Sequence, residues 1–421
     1  MEQQLPKLRF PQFKENWKDA KLKDISNVID GDRGINYPNG EDFTNEGYCL
    51  FLNAKNVTKR GFIFDNKMFI SKEKDSLLNK GKLTRGDIIL TTRGSVGNIA
   101  YYDDTIEYNQ MRINSGMVIL RVISNQIDGF FFYYLLNSPK IEKQITTIAF
   151  GSAQPQLTVK EINKFSLIYP TQIQEQYKIT SFLILVDKQI ELLELQRKKL
   201  ALYKKGAMQK LFSQQIRFKD DKGNDFPEWK EKKLGDIGKT YNGLTGKTKE
   251  HFGKGKQYIQ YMQIFSNSKI QTNNFGLVEI NKGENQSKVQ YGDVFFTTSS
   301  ETPNEIGTTS VLLDNVDELY LNSFCFGFRP DSLEELVPAF AQFLFRSPQM
   351  RDKIIPLAQG STRFNMSKVE LMKITIGLPT NAEQLKISSF LSVLDFQIEQ
   401  LVKQLETTKL FKKGLLQQMF V

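Results

Sequence analysis

Residues able to carry covalent or metal chemistry are few in this chain. The single histidine is His251, and the two cysteines, Cys49 and Cys325, lie in different halves within apolar stretches. Such thiols read as small core residues in a reducing compartment, and one histidine with two separated cysteines is too little for a structural zinc site. Asp65, Asn66 and Lys67 resemble part of a nuclease D-x-K string, a triplet that arises readily by chance. No P-loop G-x-x-x-x-G-K-[ST] and no G-x-S-x-G elbow occurs. The glycine-rich methyl-donor loop and the Asn/Asp-Pro-Pro-aromatic tetrapeptide of an adenine methyltransferase are missing as well. A chain without nucleophile, metal site or nucleotide loop is expected to bind rather than catalyse, and to hold no cofactor of its own.

The residue types that remain suit recognition of a polyanion. Lys and Arg number 57 against 47 Asp and Glu, a formal charge of +10, and cations that neutralise phosphates release condensed counterions. Arg pairs with guanine edges in a major groove, Asn and Gln with adenine, each worth about 1–3 kcal/mol of discrimination. Loops rich in Gly, Asn and Ser that carry such side chains are therefore the candidate DNA-binding residues. In the first half these are Arg33 and Asn36 in GDRGIN, Asn53, Lys55 and Asn56 in NAKN, Arg93 and Ser95 in TTRGSVG, and Gln154 with Gln156. In the second they are Lys247 and Lys249 in LTGKTK, Gln263, Ser299, Ser300, Glu301 and Thr302 in TTSSETPN, and Arg363 with Asn365.

The elements that must position these loops come in duplicate. Residues 175–212 recur at 383–420, with 19 of 38 positions identical at a constant offset of 208. Upstream, LRFPQF, Trp17 and LKDI return as IRFKDD, Trp229 and LGDI; GDIILTT (from Gly86) matches GDVFFTT (from Gly292), and GSAQPQLTVKEI (from Gly151) matches GSTRFNMSKVEL (from Gly360). Scaffold repeats while loops diverge, as two readers of different short sequences require. Runs such as YCLFL, DIILTT and SGMVILRV, bounded by Gly, Asn and Asp, read as strands, and Gly129 to Ala149 reads as helix broken at Ser138-Pro139. Ser138-Pro139 and Ser347-Pro348 look like an N-cap followed by proline at the first helical position.

Each duplicated 38-residue segment reads as one long helix. Ile179, Val186, Leu193 and Leu200, flanked by Leu183 and Ile190, repeat as Ile387, Leu394 and Leu401, flanked by Leu391, Ile398 and Leu405. This seam is a coiled-coil signal, and if the halves are related by a pseudo-two-fold axis the pair must be antiparallel. The expected fold is mixed α/β (α+β): two repeated globular modules separated by two long antiparallel helices, with a first module over 1–171, a central helix over 172–213, a second module over 214–380 and a C-terminal helix over 381–421. Basic residues in the helices, among them Arg197, Lys198, Lys199, Lys204, Lys205, Lys412 and Lys413, read as a solvated face or as contacts to phosphate or a partner. The N-terminus has no apolar signal region and no run reaches 18 apolar residues, so a soluble cytoplasmic protein off the membrane is expected.

Over essentially its full length the chain resembles the specificity subunit of type I restriction-modification systems. The resemblance rests on order, twice over: WKDAKLKDI and WKEKKLGDI, the GDIILTTRGSVG-type loop, a GS-x5-(Thr/Ser) segment running into Pro-Thr, and helices ending in KKGAMQKLF and KKGLLQQMF. It implies two target-recognition domains that read a bipartite duplex target, one half-site each. It also implies helices and adjacent faces that bind two methyltransferase subunits using S-adenosylmethionine, and restriction subunits using ATP and Mg that join the complex. In one departure, TTSSETPN lacks the Arg and Gly of its counterpart, so residues do not transfer one by one between modules. The competing expectations are a nucleic-acid-binding coiled-coil scaffold without a restriction-modification role and a stand-alone restriction or methylation enzyme.

Overall fold

The apolar runs are too continuous for strands with one wet face, and the computed structural model, which describes residues 5–149 and 155–421, shows why. The first module centres on a four-stranded antiparallel sheet in the order Ser26–Asp30, Met117–Val122, Ile88–Thr91, Ile99–Tyr101. Ile88, Leu90, Val118 and Leu120 pack under the helices Gly129–Leu136 and Pro139–Ala149, against Phe131, Phe132 and Leu135. Ile89 and Ile119, on the opposite face, pack against Leu50, Leu52, Met111 and Ile113 of a smaller sheet formed by Phe69–Ile70, Cys49–Leu52 and Met111–Ile113. Both faces of the strand are dry, so alternation is lost.

The second module repeats this plan with Gly238–Asn242, Cys325–Pro330, Val294–Thr297 and Thr309–Val311 in the same order. Val294, Phe296, Phe326 and Phe328 face Phe340, Phe343 and Phe345, while Phe295 faces Ile259 and Leu321. Ser347 caps its helix by accepting from Met350 N at 3.3 Å. At Ser138 the expectation differs: Pro139 does open the helix, but the hydroxyl makes no hydrogen bond, and only the backbone carbonyl accepts, from Glu142 N at 3.0 Å.

The long helices run over Ile173–Phe212 and Asn381–Met419. The chain divides into two compact units, Met1–Leu193 with Gln404–Val421, and Glu194–Lys403. Each unit therefore contains the first half of one long helix and the last part of the other. In the first unit Trp17 Nε1 donates to Glu175 at 3.2 Å, and the Phe131 ring meets Trp17 edge-on and Phe420 at a tilt. Twelve residues further on, Asp187 pairs with Lys412 at 2.5 Å, so the two helices run oppositely there. The second unit makes the same set: Trp229 to Glu383 at 3.2 Å, Phe340 near Trp229 and Phe212, and Lys204 paired with Asp395. Arg9 and Arg217 clamp the buried carboxylates of Glu175 and Glu383 with paired guanidinium hydrogen bonds, the geometry that best offsets burial of a charge. Among the described residues no helix is long and apolar enough to cross a membrane.

Candidate nucleic-acid interface

Where the central strand of each module leaves the core, backbone hydrogen bonds tie three separate segments into one node. In the first module Thr92 N and Arg93 N donate to Gly116 O at 2.8 and 3.2 Å, and Leu157 N donates to Thr92 O at 3.0 Å. Arg93 thereby bridges to Gln156 across an antiparallel pair. The loop beyond Thr91 is closed on itself: Thr91 Oγ1 donates to Ser95 O and accepts from Asn98 N, and Gly97 N reaches Thr91 O at 3.0 Å. Gly94 sits at φ +71°, a conformation that a side chain disfavours, so glycine is needed for this turn. Arg93, Gly94 and Ser95 project to solvent, as does Gln156.

Arg33 joins the same node, donating to Ser115 O at 3.3 Å while ion-paired with Asp30 at 3.0 Å. The structure thus brings together Arg33, Arg93, Ser95 and Gln156 around the turn Asn114–Gly116. Gln154 lies outside the described residues. Asn36 is set to the side, its amide on Leu77 O at 3.3 Å. The NAKN loop is anchored through Asn98 Nδ2 to Val57 O at 3.0 Å, with Lys55 exposed at its tip. Asn56 is fully buried: its Oδ1 accepts from Asn53 N at 2.9 Å and its amide donates to Ile63 O and Asn66 O. It holds the loop, as does Asn53, whose Oδ1 accepts from Lys55 N at 2.9 Å.

The second module builds the same frame. Thr298 N donates to Phe324 O at 3.0 Å, Met366 N to Thr298 O at 3.1 Å, and Gly307 N to Thr297 O at 3.2 Å. Ser299 pairs with Asn365 and Ser300 with Phe364. Glu301, Thr302, Arg363 and Asn365 are exposed there, whereas Ser300 is buried and donates to Glu305 at 3.1 Å. Gln263 is also buried, its amide on Asn274 O. Lys247 and Lys249 belong to a different loop. The Lys247 side chain is only 2% exposed and bonds Glu284, a bond that holds that carboxyl down at about 2; Lys249 is exposed.

Sequence reasoning missed Phe324. It occupies the place of Gly116 (LNSFCFGFR against INSGMVILR, offset 208) and is 59% exposed at the centre of the node. Inside an apolar run it reads as a core strand residue; the repeat register was the signal that could have found it. The two nodes also differ in charge: Arg33, Lys55 and Arg93 surround the first, and Arg363 with Glu301 and Glu305 the second. Burial pushes the Cys49 thiol up to about 12 and raises that of Cys325 as well, so neither is a thiolate near neutrality.

The chain matches the family described as type I restriction modification DNA specificity domain twice, over residues 14–202 and 227–407. It is 26% identical over 215 residues to the putative type I restriction enzyme MjaX specificity subunit of Methanocaldococcus jannaschii, covering 50% of this chain and 49% of that protein. To the MjaVIII specificity subunit of the same organism it is 25% identical over 211 residues, covering 49% and 48%. Each match thus spans about half the length of the relative. In fold it is similar to the type I restriction-modification S subunit from M. genitalium, at 16% identity and a TM-score of 0.58, with 99% of both chains covered. A solved structure concerned with complex assembly and conformational transition of the type I R-M system gives a TM-score of 0.58 at 18% identity, covering 96% and 97%.

Proposed function

Because the chain belongs to the type I restriction-modification DNA specificity family, we propose that each of its modules reads one half of a bipartite duplex target, with no catalysis of its own. One observation carries this reading: the same hydrogen-bonded node recurs with different exposed side chains, Arg93, Ser95 and Gln156 in one module, Glu301, Arg363, Asn365 and Phe324 in the other. A frame that is kept while its tips change is a device for reading two different sequences. Helices of 40 and 39 residues are roughly 60 Å long, against roughly 34–36 Å for one DNA turn, and so suffice to space two half-sites by bases of any identity.

The partners follow the same logic. Tyr177, Leu185, Leu410 and Phe411 are exposed on the helices of the first unit, and their repeat equivalents Leu385, Val393, Leu202 and Tyr203 are exposed on those of the second. An equivalent apolar set on each unit fits one methyltransferase subunit per unit, two in all, with S-adenosylmethionine bound there. Restriction subunits carrying ATP and Mg would join through that complex, in the cytoplasm where the DNA lies. Leu185→Glu combined with Val393→Glu is expected to weaken methyltransferase binding at least roughly 100-fold, because an unpaired carboxylate buried in an apolar interface costs several kcal/mol. The melting temperature of the free chain should not move. Co-purification of two methyltransferase copies with the double variant would refute this docking face.

The central test is co-expression with a cognate methyltransferase subunit and genome-wide mapping of methylated adenines. One bipartite motif is expected. Unselective binding that collapses as salt rises, with no motif, would instead favour the scaffold reading, since phosphate contacts alone give steep salt dependence.

A further inference from the structure

The two heads differ most sharply at a single equivalent position. Gly116 leaves the first node open, whereas Phe324 stands out of the second on a turn that is clamped: its N donates to Asn322 Oδ1 at 2.8 Å, and its O accepts from Thr298 N at 3.0 Å and Thr298 Oγ1 at 2.7 Å. With Met262, also 59% exposed, it borders an open cavity of about 410 Å³. The wall behind is rigid: the rings of Tyr261 and Phe265 stack at 6.1 Å, and the Tyr261 hydroxyl donates to Ser299 O at 2.8 Å. On the rim, the pairing of Ser299 with Asn365 and Ser300 with Phe364 sets Glu301 across from Arg363.

This combination selects its ligand chemistry. The carboxylates of Glu301 and Glu305 repel phosphate, so the cavity suits base edges rather than backbone. A large apolar surface held out on a fixed turn needs an apolar partner, and in the major groove that partner is the C5 methyl group of thymine. Resting on the duplex-reading role above, we infer that the cavity bounded by Phe324 and Met262 accepts thymine methyl groups in the half-site of the second module, and that Phe324 is a specificity determinant of that half-site.

The test uses the full chain purified with its methyltransferase partner, on duplexes carrying the mapped motif with thymine or deoxyuridine in one half-site. Wild type should bind roughly fourfold more weakly for each contacted thymine replaced in the second half, the effect of unburying about one carbon. Phe324→Gly should bind both forms alike in that half, while responding to deoxyuridine in the first half as wild type does. Glycine already stands at this place in the first module, so the turn tolerates it; should the variant melt early, Met262→Ala serves in its stead. A second half-site without thymine, wild-type indifference to deoxyuridine, or undiminished discrimination by the variants overturns the inference. A missing bipartite motif would overturn the duplex-reading role itself, a result distinct from a motif whose thymine methyls do not matter.

Discussion

Arg112→Met should destabilise the first unit by about 3–5 kcal/mol, because it removes one charge of a buried ion pair, leaving Asp75 only the part-exposed Lys82, and unmakes hydrogen bonds to buried carbonyls as well. The Arg112 and Asp75 side chains are both nearly inaccessible and meet at 2.5 Å. Arg112 also donates to the carbonyls of Asp75, Leu78 and Lys80 at 2.6–3.0 Å, so several acceptors lose their partner at once. For a unit of this size the melting temperature falls by roughly 2–4 °C per kcal/mol. Burial pushes the Asp75 carboxyl up, but hydrogen bonds from Lys82 and Arg112 outweigh it and hold the group below its ordinary value of 3.8. A lowered folded value means stability that is present above the unfolded value and lost as pH falls through the folded one. The difference between wild type and variant should therefore narrow below about pH 4. Calorimetry of both proteins between pH 3 and 7 decides the matter: equal melting at neutral pH, or a gap as wide at pH 3 as at pH 7, would refute this account. The strand that carries Arg112 runs into the turn Asn114–Gly116, so the same cluster steadies the candidate interface of the first module.

The second large effect is expected at Arg93. Its guanidinium makes no hydrogen bond or ion pair with the described residues, and its backbone is fixed on both sides by the node, so it is presented ready to pair. Arg93→Ala should weaken binding of the cognate duplex roughly 5- to 150-fold and relax one position of the first half-site, as loss of a bidentate contact to guanine does. Lys55→Ala, at an exposed tip, should instead weaken all duplexes alike and reduce the salt slope by about one, as loss of a phosphate contact does. Methylation mapping and titrations at several salt concentrations separate the two. Relaxation in the second half-site, or a motif left unchanged by Arg93→Ala, would remove Arg93 from base reading.

Arg33 belongs to the same node yet should have a smaller effect, because its ion pair with Asp30 already engages the guanidinium. This grading among residues of one type was invisible in the chain as written. Exposed arginines, buried asparagines and amides that close their own loops have the same letter code. Asn56 and Gln263 carry the right chemistry for adenine, but a loop that leaves the core has backbone groups to satisfy, and these side chains satisfy them.

The duplication, the two long helices and the order of the repeated motifs were determined by the sequence alone, because they are periodic: an offset of 208 and a heptad seam are properties of spacing, independent of any contact. The joining of Arg93 to Gln156 and of Ser299 to Asn365, segments more than sixty residues apart, was decided only in three dimensions. So was the exchange by which Phe420 completes the core of the first unit and Phe212 that of the second. An apolar run shows that a segment seeks burial, and both helix ends are equally apolar; which surface covers each, and which phenyl ring such as Phe324 is left in water, depends on how long-range contacts close the core.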